Sequence, residues 1–207
     1  MIVILGGTFD PIHSGHLALA NQANQLLTPH KVLFMPCKQP VHKTSSGITS
    51  DHRINMINLA IQNDANFAID LREINRDTPS YALESLISFR QQYPTKPIFF
   101  LIGMDSLNTL HTWFKWQECL ANSNFLVFQR PGETFQPAPQ VAPYIKGNIN
   151  ESLELLPLAG HIYLAQHQQV AISSSELRSN LMQLKNDFLP EAVSDYIKLH
   201  RLYQKTR

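Results

Sequence analysis

Short apolar runs alternate with amphipathic segments along the chain, and this alternation restricts the fold more than any other feature. The runs span residues 2–5, 32–35, 67–71, 98–102, 125–128 and 162–164. Each run is apolar on both faces of the strand that it would form, which is typical of a parallel sheet covered by helices. Strand, helix and strand in repeated order predict a doubly wound parallel α/β fold with helices on both faces of the sheet.

The segments between the runs support this architecture. The first two amphipathic segments each place their apolar residues on one helical face. This face consists of Leu19, Ala20, Ala23, Leu26 and Leu27 in the first segment and of Ile54, Ile57 and Ile61 in the second. Cap signals predict helix starts at residues 49–50, at Ser80, at residues 173–175 and near Pro190. Residues 131–157 are rich in proline and show no clear period, so we expect a surface excursion there.

Composition excludes several classes of protein. The length of 207 residues fits one domain over residues 1–207, present as a monomer or a homodimer. With 17 Lys and Arg against 16 Asp and Glu, no overall charge draws the chain to nucleic acid or an anionic membrane. Cys37 and Cys119 form no disulfide framework, which favours the reducing cytoplasm. All apolar runs fall short of the roughly 20 residues of a membrane-spanning helix.

The loop after the first predicted strand carries the most chemical information. It reads Gly6-Gly7-Thr8-Phe9-Asp10-Pro11-Ile12-His13-Ser14-Gly15-His16 and continues into the first amphipathic helix. Two glycines let the backbone approach a ligand, and the helix start offers free N–H groups to a phosphate. Neither a GxGxxG sequence nor a GxxxxGK[ST] sequence is present, which argues against an oxidoreductase fingerprint and a P-loop.

His13 and His16 lie three residues apart, so their rings project from nearly the same helical face. Imidazoles in this position could stabilise charge that develops on a leaving pyrophosphate. Taken alone, the pair is also compatible with solvated or capping side chains. A metal-binding module formed by His13, His16 and Asp10 is a further alternative, although no other ligands with suitable spacing lie nearby.

The whole string GGTFDPIHSGH resembles the signature of the nucleotidyltransferase superfamily that is defined by an [HT]xGH motif. Residues 172–178, which read ISSSELR, resemble its second motif. The resemblance implies a Rossmann-like sheet of the nucleotidyltransferase type, with His16, His13 and Arg178 as catalytic residues. The implied ATP-binding residues are Gly6, Gly7, Thr8, Phe9, His13, His16, Gly103, Asp105, Ser173, Ser174, Ser175 and Arg178.

Within this superfamily the chain looks most like the bacterial nicotinate-nucleotide adenylyltransferases. The resemblance rests on a basic loop with Pro36, Pro40, His42 and Lys43, on Ser80-Tyr81-Ala82, and on Gly103-Met104-Asp105-Ser106-Leu107 followed by Trp113. The implied acceptor-binding residues are His42, Lys43, Ser80, Tyr81, Ala82, Asp105, Trp113 and Arg130. Gln129 stands where the family often has a second basic residue.

Simpler structural roles stay open for several of these residues. Trp113 could belong to the core, since an indole is more often packed than exposed as a stacking platform. Asp105 could cap a helix that begins at Ser106. Lys43 and Arg130 could be solvated charges, while Arg53 is compatible with either role.

The family resemblance implies a reaction of ATP with nicotinate mononucleotide that yields deamido-NAD and pyrophosphate, a step of NAD biosynthesis. A helix start at residues 80–82 would favour the carboxylate of this acceptor, with nicotinamide mononucleotide as second choice. The first loop contains Asp10 but no carboxylate cluster for metals, so Mg²⁺ is expected to bind mainly through the ATP phosphates. The alternatives are another acceptor, such as pantetheine phosphate, or a non-catalytic nucleotide sensor.

Overall fold

The computed structural model describes residues 1–38, 47–78, 80–129, 132–151, 156–166, 174–180 and 188–204. Its seven strands are β1 Ile2–Gly7, β2 Val32–Pro36, β3 Phe67–Ile69, β4 Ile98–Gly103, β5 Asn124–Gln129, β6 Ile145–Asn148 and β7 Ile162–Gln166. They form one sheet in the order β3-β2-β1-β4-β5-β7-β6, and every pair is parallel. The predicted doubly wound parallel α/β fold is therefore confirmed.

Helices cover both faces of this sheet. They are α1 Ser14–Leu27, α2 Ser50–Ile61, α3 Ala82–Gln92, α4 Met104–Thr109, α5 Trp116–Asn122, α6 Ser174–Asn180 and α7 Glu191–Leu199. The core on one face includes α1, α2 and α7, and the core on the other includes α3, α4 and α5. Among the described helices, none is long and apolar enough to cross a membrane.

Alternate residues of each central strand enter the two cores. In β1, Val3 and Leu5 pack toward α1 and α2, whereas Ile4 packs toward α3. This division follows from the two-residue period of a strand and explains why the central strands are apolar throughout. All three residues are at most 5% exposed.

The expectation of a plain surface excursion over residues 131–157 is wrong in part. That segment contains β6, a parallel edge strand beside β7, and it buries Val141 and Ile149 completely. The strand reads Ile-Lys-Gly-Asn, with one apolar residue and a glycine, so it lacks the pattern of a buried strand. A strand at the edge of a sheet needs fewer apolar side chains than a central strand. The sequence of β6 therefore lacks the apolar run by which the other strands were predicted.

Helix starts are confirmed at Thr49, whose side chain accepts a hydrogen bond from the His52 N–H, and at Pro190. The start predicted at Ser80 is displaced by one residue, since Tyr81 is the N-cap and α3 begins at Ala82. The alternative helix start at Ser106 is also wrong, because α4 begins at Met104.

Candidate active site

A crevice opens where the strand order reverses between β1 and β4. The backbone pairing of these strands runs from Ile2–Ile98 to Leu5–Leu101 and ends there. Each strand nevertheless continues for two residues, to Gly7 and Gly103, while paired to its outer neighbour. The two strands therefore part at their carboxyl ends. Such a switch point is where ligands bind in open α/β sheets.

Glycine permits close packing at the floor of this crevice. A Cβ atom on Gly6 would lie 2.8 Å from the ring of Phe100 on β4, and one on Gly103 would lie 2.7 Å from the Asp105 carboxylate. A Cβ on Gly7 would lie 3.2 Å from the ring of Phe9. Side chains at these positions would displace the groups that line the opening.

The loop from Thr8 to His13 turns sharply at Phe9 and is fixed by a hydrogen bond from Arg53. Phe9 has a φ of 50°, a left-handed conformation that is uncommon outside glycine, and the residue is only 1% exposed. Arg53 on α2, itself 4% exposed, donates from Nη1 to the Thr8 carbonyl at 2.8 Å. Its Nη2 donates to the Lys38 carbonyl at 3.2 Å and to Ser50 Oγ at 2.9 Å. Arg53 thus joins the carboxyl ends of β1 and β2.

The two histidines of the first motif stack at the start of α1. Their ring centroids are 3.7 Å apart with an angle of 32° between the planes, as the spacing predicts. His16 Nδ1 accepts the His13 backbone N–H at 3.3 Å, and the Phe9 ring meets the His16 ring edge-on at 5.0 Å. His13 is 4% exposed and His16 is half-buried. Phe9, predicted to line the ATP site, therefore has its ring beneath His16 as a support.

The second motif reaches the same loop from the far end of the chain. Ser174 Oγ on α6 donates to the Pro11 carbonyl at 3.1 Å, and Arg178 Nη1 donates to the Asp10 carbonyl at 2.6 Å. Arg178 Nη2 also donates to Ser175 Oγ at 3.1 Å. The two motifs, which are about 160 residues apart in sequence, are thus joined by direct contacts of Arg178 and Ser174 with the first loop.

The start of α3 forms another wall, beyond the end of β2. Ser80, predicted to begin the helix, instead accepts the Lys38 backbone N–H through its Oγ at 3.1 Å. Lys38 Nζ donates to the Arg76 carbonyl at 2.9 Å and pairs with Asp77 at 3.0 Å. These contacts connect the end of β2 to the residues that precede α3. Tyr81, the N-cap, lies with its ring 5.2 Å from that of Phe114.

A buried carboxyl group supports this wall. Glu73 is 4% exposed and accepts a hydrogen bond from Ser85 Oγ at 2.7 Å. Burial raises the pKa of Glu73 above its ordinary value of 4.5, although the Ser85 hydrogen bond and the Arg76 charge act in the opposite direction. Burial also raises the pKa of the neighbouring Cys37 thiol, which is 3.8 Å from Thr8 Oγ1.

Trp113 and Asp105 occupy positions between the core and solvent. The Trp113 ring is half-buried and lies 6.4 Å from the Phe100 ring and 6.1 Å from the Phe125 ring. Asp105 is exposed in the first turn of α4, directly after Gly103. One part of the Trp113 ring therefore packs in the core, in line with the alternative of a core position, and another part is available to a ligand.

Four predicted site residues, His42, Lys43, Arg130 and Ser173, lie outside the described residues. In the described part of the chain, no group of three or more His, Cys, Asp and Glu side chains is arranged to hold a metal ion. The Asp10 carboxylate is 6% exposed and is hydrogen-bonded by the Tyr203 hydroxyl at 2.6 Å. This engaged carboxylate is a poor candidate for a protein ligand to Mg²⁺.

Sequence reasoning missed Lys38 and Tyr203 as contributors to the site and did not decide on Arg53. Lys38 could have been suspected from its position just after the second apolar run, where ligands of parallel sheets bind. No local pattern marks Tyr203, because its contact with Asp10 spans 193 positions of the chain.

Known proteins resemble this chain in both sequence and fold. The family model described as cytidylyltransferase-like matches residues 4–180. A Legionella pneumophila (strain Corby) protein named "probable nicotinate-nucleotide adenylyltransferase" is 40% identical over 210 residues, covering 98% of this chain and 99% of its own. A protein of the same name from Aeromonas salmonicida (strain A449) is 39% identical, covering 98% of this chain and 97% of its own.

Two solved structures of Plasmodium falciparum nicotinic acid mononucleotide adenylyltransferase share the fold, each at 20% sequence identity. The complex with APC superposes with a TM-score of 0.73 and the complex with NaAD with a TM-score of 0.74. Both alignments cover 98% of this chain and 96% of the other. With full-length relatives at about 40% identity, the chain belongs to the nicotinate-nucleotide adenylyltransferases of the cytidylyltransferase-like family.

Proposed function

We propose that this protein transfers the adenylyl group of ATP to nicotinate mononucleotide, which yields deamido-NAD and pyrophosphate. The observation that carries the proposal is the meeting of the two motifs. Arg178 binds the Asp10 carbonyl, and three residues later the same loop reaches His13, whose ring stacks on that of His16. Charge-stabilising side chains thus converge beside the crevice between β1 and β4.

In the proposed reaction, a phosphate oxygen of the mononucleotide attacks the α-phosphorus of ATP in line. The bond from the α-phosphorus to its bridging oxygen breaks, and pyrophosphate leaves with that electron pair. The attacking phosphate is already ionised at neutral pH, so no general base is required. The protein then acts by positioning the two phosphates and by stabilising charge.

Residues of both motifs have defined tasks in this proposal. His16 contacts the α-phosphate, and His13 and Arg178 neutralise charge on the departing pyrophosphate. Gly6 and Gly7 let the nucleotide approach the end of β1, and the backbone of Thr8 and Phe9 lines its path. Ser174 and Ser175 fix the orientation of α6 and the Arg178 side chain through the hydrogen bonds described above.

Magnesium enters with ATP in this scheme. Asp10, the carboxylate of the first motif, is engaged by Tyr203 and faces Arg178, whose Nη1 lies 3.8 Å from Oδ2. An ion held by the triphosphate and water needs no further protein carboxylate, which suits the reluctance of Mg²⁺ to lose its water. We therefore treat MgATP as the substrate.

The preference for a carboxylate acceptor rests on the start of α3. Free N–H groups at the N-terminus of this helix favour a negative group by about 1 kcal/mol. Glu84 in the first turn would oppose this effect, but Arg76 Nε lies 3.2 Å from its carboxylate and Thr78 donates to it at 2.7 Å. Asp105 would bind acceptor hydroxyls, and the available part of Trp113 would stack on the pyridine ring.

Pyrophosphate release from MgATP tests the proposal with four parallel acceptor conditions: nicotinate mononucleotide, nicotinamide mononucleotide, phosphopantetheine and no acceptor. Rapid release with the first alone is the expected result. Equal rates with the first two would remove the carboxylate argument, and release with phosphopantetheine would reassign the acceptor. No release under any condition would favour the nucleotide sensor.

We further propose the cytoplasm as the compartment of this reaction. In support, Cys37 and Cys119 are both free thiols, as a reducing environment would keep them.

A further inference from the structure

The segment after α7 returns to the loop from Thr8 to His13. The Leu202 N–H donates to the Ile197 carbonyl at 3.0 Å, and Tyr203 takes a left-handed φ of 62°. This turn directs the Tyr203 hydroxyl to Asp10, to whose Oδ1 it donates at 2.6 Å. The aromatic ring packs against the core that contains α1, α2 and α7, and this packing fixes the position of the hydroxyl.

The carboxylate of Asp10 accepts a hydrogen bond from Tyr203 and faces the guanidinium of Arg178. Tyr203 takes Oδ1, while Arg178 Nη1 lies 3.8 Å from Oδ2 and donates to the Asp10 carbonyl at 2.6 Å. The geometry is therefore not the bidentate pair that arginine and a carboxylate commonly form. Arg178 is held near Asp10 chiefly through a backbone oxygen, which carries no net charge.

The Tyr203 hydroxyl is a permanent donor at this position. Burial first, and then the hydrogen bond with Asp10, raise the pKa of Tyr203 far above its ordinary value. An O–H···O⁻ distance of 2.6 Å lies in the range of strong, charge-assisted hydrogen bonds. Without this donor, the freed oxygen would attract the guanidinium of Arg178, whose Nη1 lies 3.8 Å from the other carboxylate oxygen.

We propose that Tyr203 is a positioning residue for ATP binding. By holding Asp10 Oδ1, it prevents Arg178 from closing into a bidentate ion pair and leaves the guanidinium available to the triphosphate. The role of Arg178 toward ATP belongs to the proposed function, on which this inference rests. The contribution of Tyr203 is additional, because its hydroxyl acts through Asp10 and Arg178 rather than on the substrate.

The test compares Tyr203→Phe with Tyr196→Phe. Tyr196 lies on α7, and its hydroxyl is bonded to His52 Nδ1 at 2.9 Å and to Asn55 Nδ2 at 3.0 Å, so this control also loses one hydroxyl of the C-terminal region. We expect Tyr203→Phe to weaken MgATP binding in calorimetry by roughly tenfold, the equivalent of about one charge-assisted hydrogen bond. Tyr196→Phe should leave ATP binding within about twofold of the wild type. The same ATP affinity in both variants would overturn the proposal.

A second comparison separates this role from general loosening of the loop. In an Asp10→Asn background the neutral amide cannot form an ion pair with Arg178, so adding Tyr203→Phe should change the MgATP affinity by less than about twofold. A tenfold loss in both backgrounds would mean that Tyr203 acts only as structural support. KM for nicotinate mononucleotide should stay unchanged in Tyr203→Phe, and a parallel rise would also contradict the proposal.

The calorimetric experiment does not depend on turnover. A wild-type protein that binds MgATP but releases no pyrophosphate would refute the proposed reaction and still allow the Tyr203 comparison. Turnover with a normal ATP affinity in Tyr203→Phe would refute the inference and keep the reaction. A wild-type protein that binds no MgATP would overturn both.

Discussion

Replacement of Arg53 by methionine tests whether Arg53 on α2 fixes the position of the loop from Thr8 to His13. Methionine retains much of the length and apolar volume of arginine but removes all of its donors. The Thr8 carbonyl, the Lys38 carbonyl and Ser50 Oγ would each lose a hydrogen bond of 2.8 to 3.2 Å. Because Arg53 is only 4% exposed, water cannot easily replace these bonds.

The expected magnitude follows from these contacts. A net hydrogen bond contributes about 1 kcal/mol to stability, and a bond from a charged donor contributes more. Because the three bonds share one side chain, their contributions do not simply add. We therefore expect a loss of roughly 3 kcal/mol in the free energy of unfolding. For a chain of this size, that corresponds to a fall in Tm of roughly 6 to 12 °C. KM for ATP should rise about tenfold, since displacing the Thr8 loop misplaces the groups that line the nucleotide site.

Arg90→Met is the matched control. Arg90 on α3 also donates to backbone carbonyls, among them Asn122 at 3.0 Å and Lys96 at 2.9 Å, but these lie at the amino ends of β4 and β5. Thermal unfolding and initial rates at varied ATP should show a fall of Tm in both variants, larger in Arg53→Met because Arg90 is less buried, and a raised ATP KM in Arg53→Met alone. An equal ATP KM in the two folded variants would refute the role of Arg53 in the site.

Three other substitutions address separate parts of the account. His16→Ala should lower kcat by roughly 100- to 1,000-fold with an unchanged circular dichroism spectrum, and an unaltered kcat would remove His16 from the chemistry. Trp113→Ala should raise KM for the acceptor more than KM for ATP, whereas equal rises would assign the indole to the core. Glu73→Gln should change the pH dependence of stability. Because the folded pKa of Glu73 is raised, the folded state binds the proton more tightly, so wild-type stability falls as pH rises above about 4.5 until the folded pKa is passed. The free energy of unfolding of Glu73→Gln, measured in urea, should lack this fall with rising pH. Identical pH profiles in the two proteins would show that ionisation of Glu73 does not destabilise the fold.

The parts of this molecule that depend on local pattern could be predicted from sequence. The central strands are apolar on both faces because each supplies two cores, and the loop from Gly6 to His16 follows the first of them directly. The stacking of His13 and His16 follows from a three-residue spacing at a helix start. These features require only near neighbours in the chain.

The parts that depend on distant contacts could not be predicted. Arg53 reads as one more charge on an amphipathic helix until the ends of β1 and β2 are seen beside it. Tyr203 meets Asp10 only because α7 packs across α2 and the chain then turns back. Strand β6 is held by its neighbour β7 rather than by its own apolarity. For Arg53 and Tyr203 the contacted residue lies in a distant part of the chain, whereas β6 itself lacks the apolar pattern of a buried strand.

The fate of the α-phosphate of ATP distinguishes adenylyl transfer to the acceptor from any other use of the nucleotide. Purified protein would be incubated with α-³²P-labelled ATP, Mg²⁺ and nicotinate mononucleotide, and the products would be separated by chromatography. If the protein transfers the adenylyl group, we expect the label to appear in deamido-NAD in a one-to-one ratio with released pyrophosphate. Label recovered only as ATP, or as AMP without the dinucleotide, would contradict it.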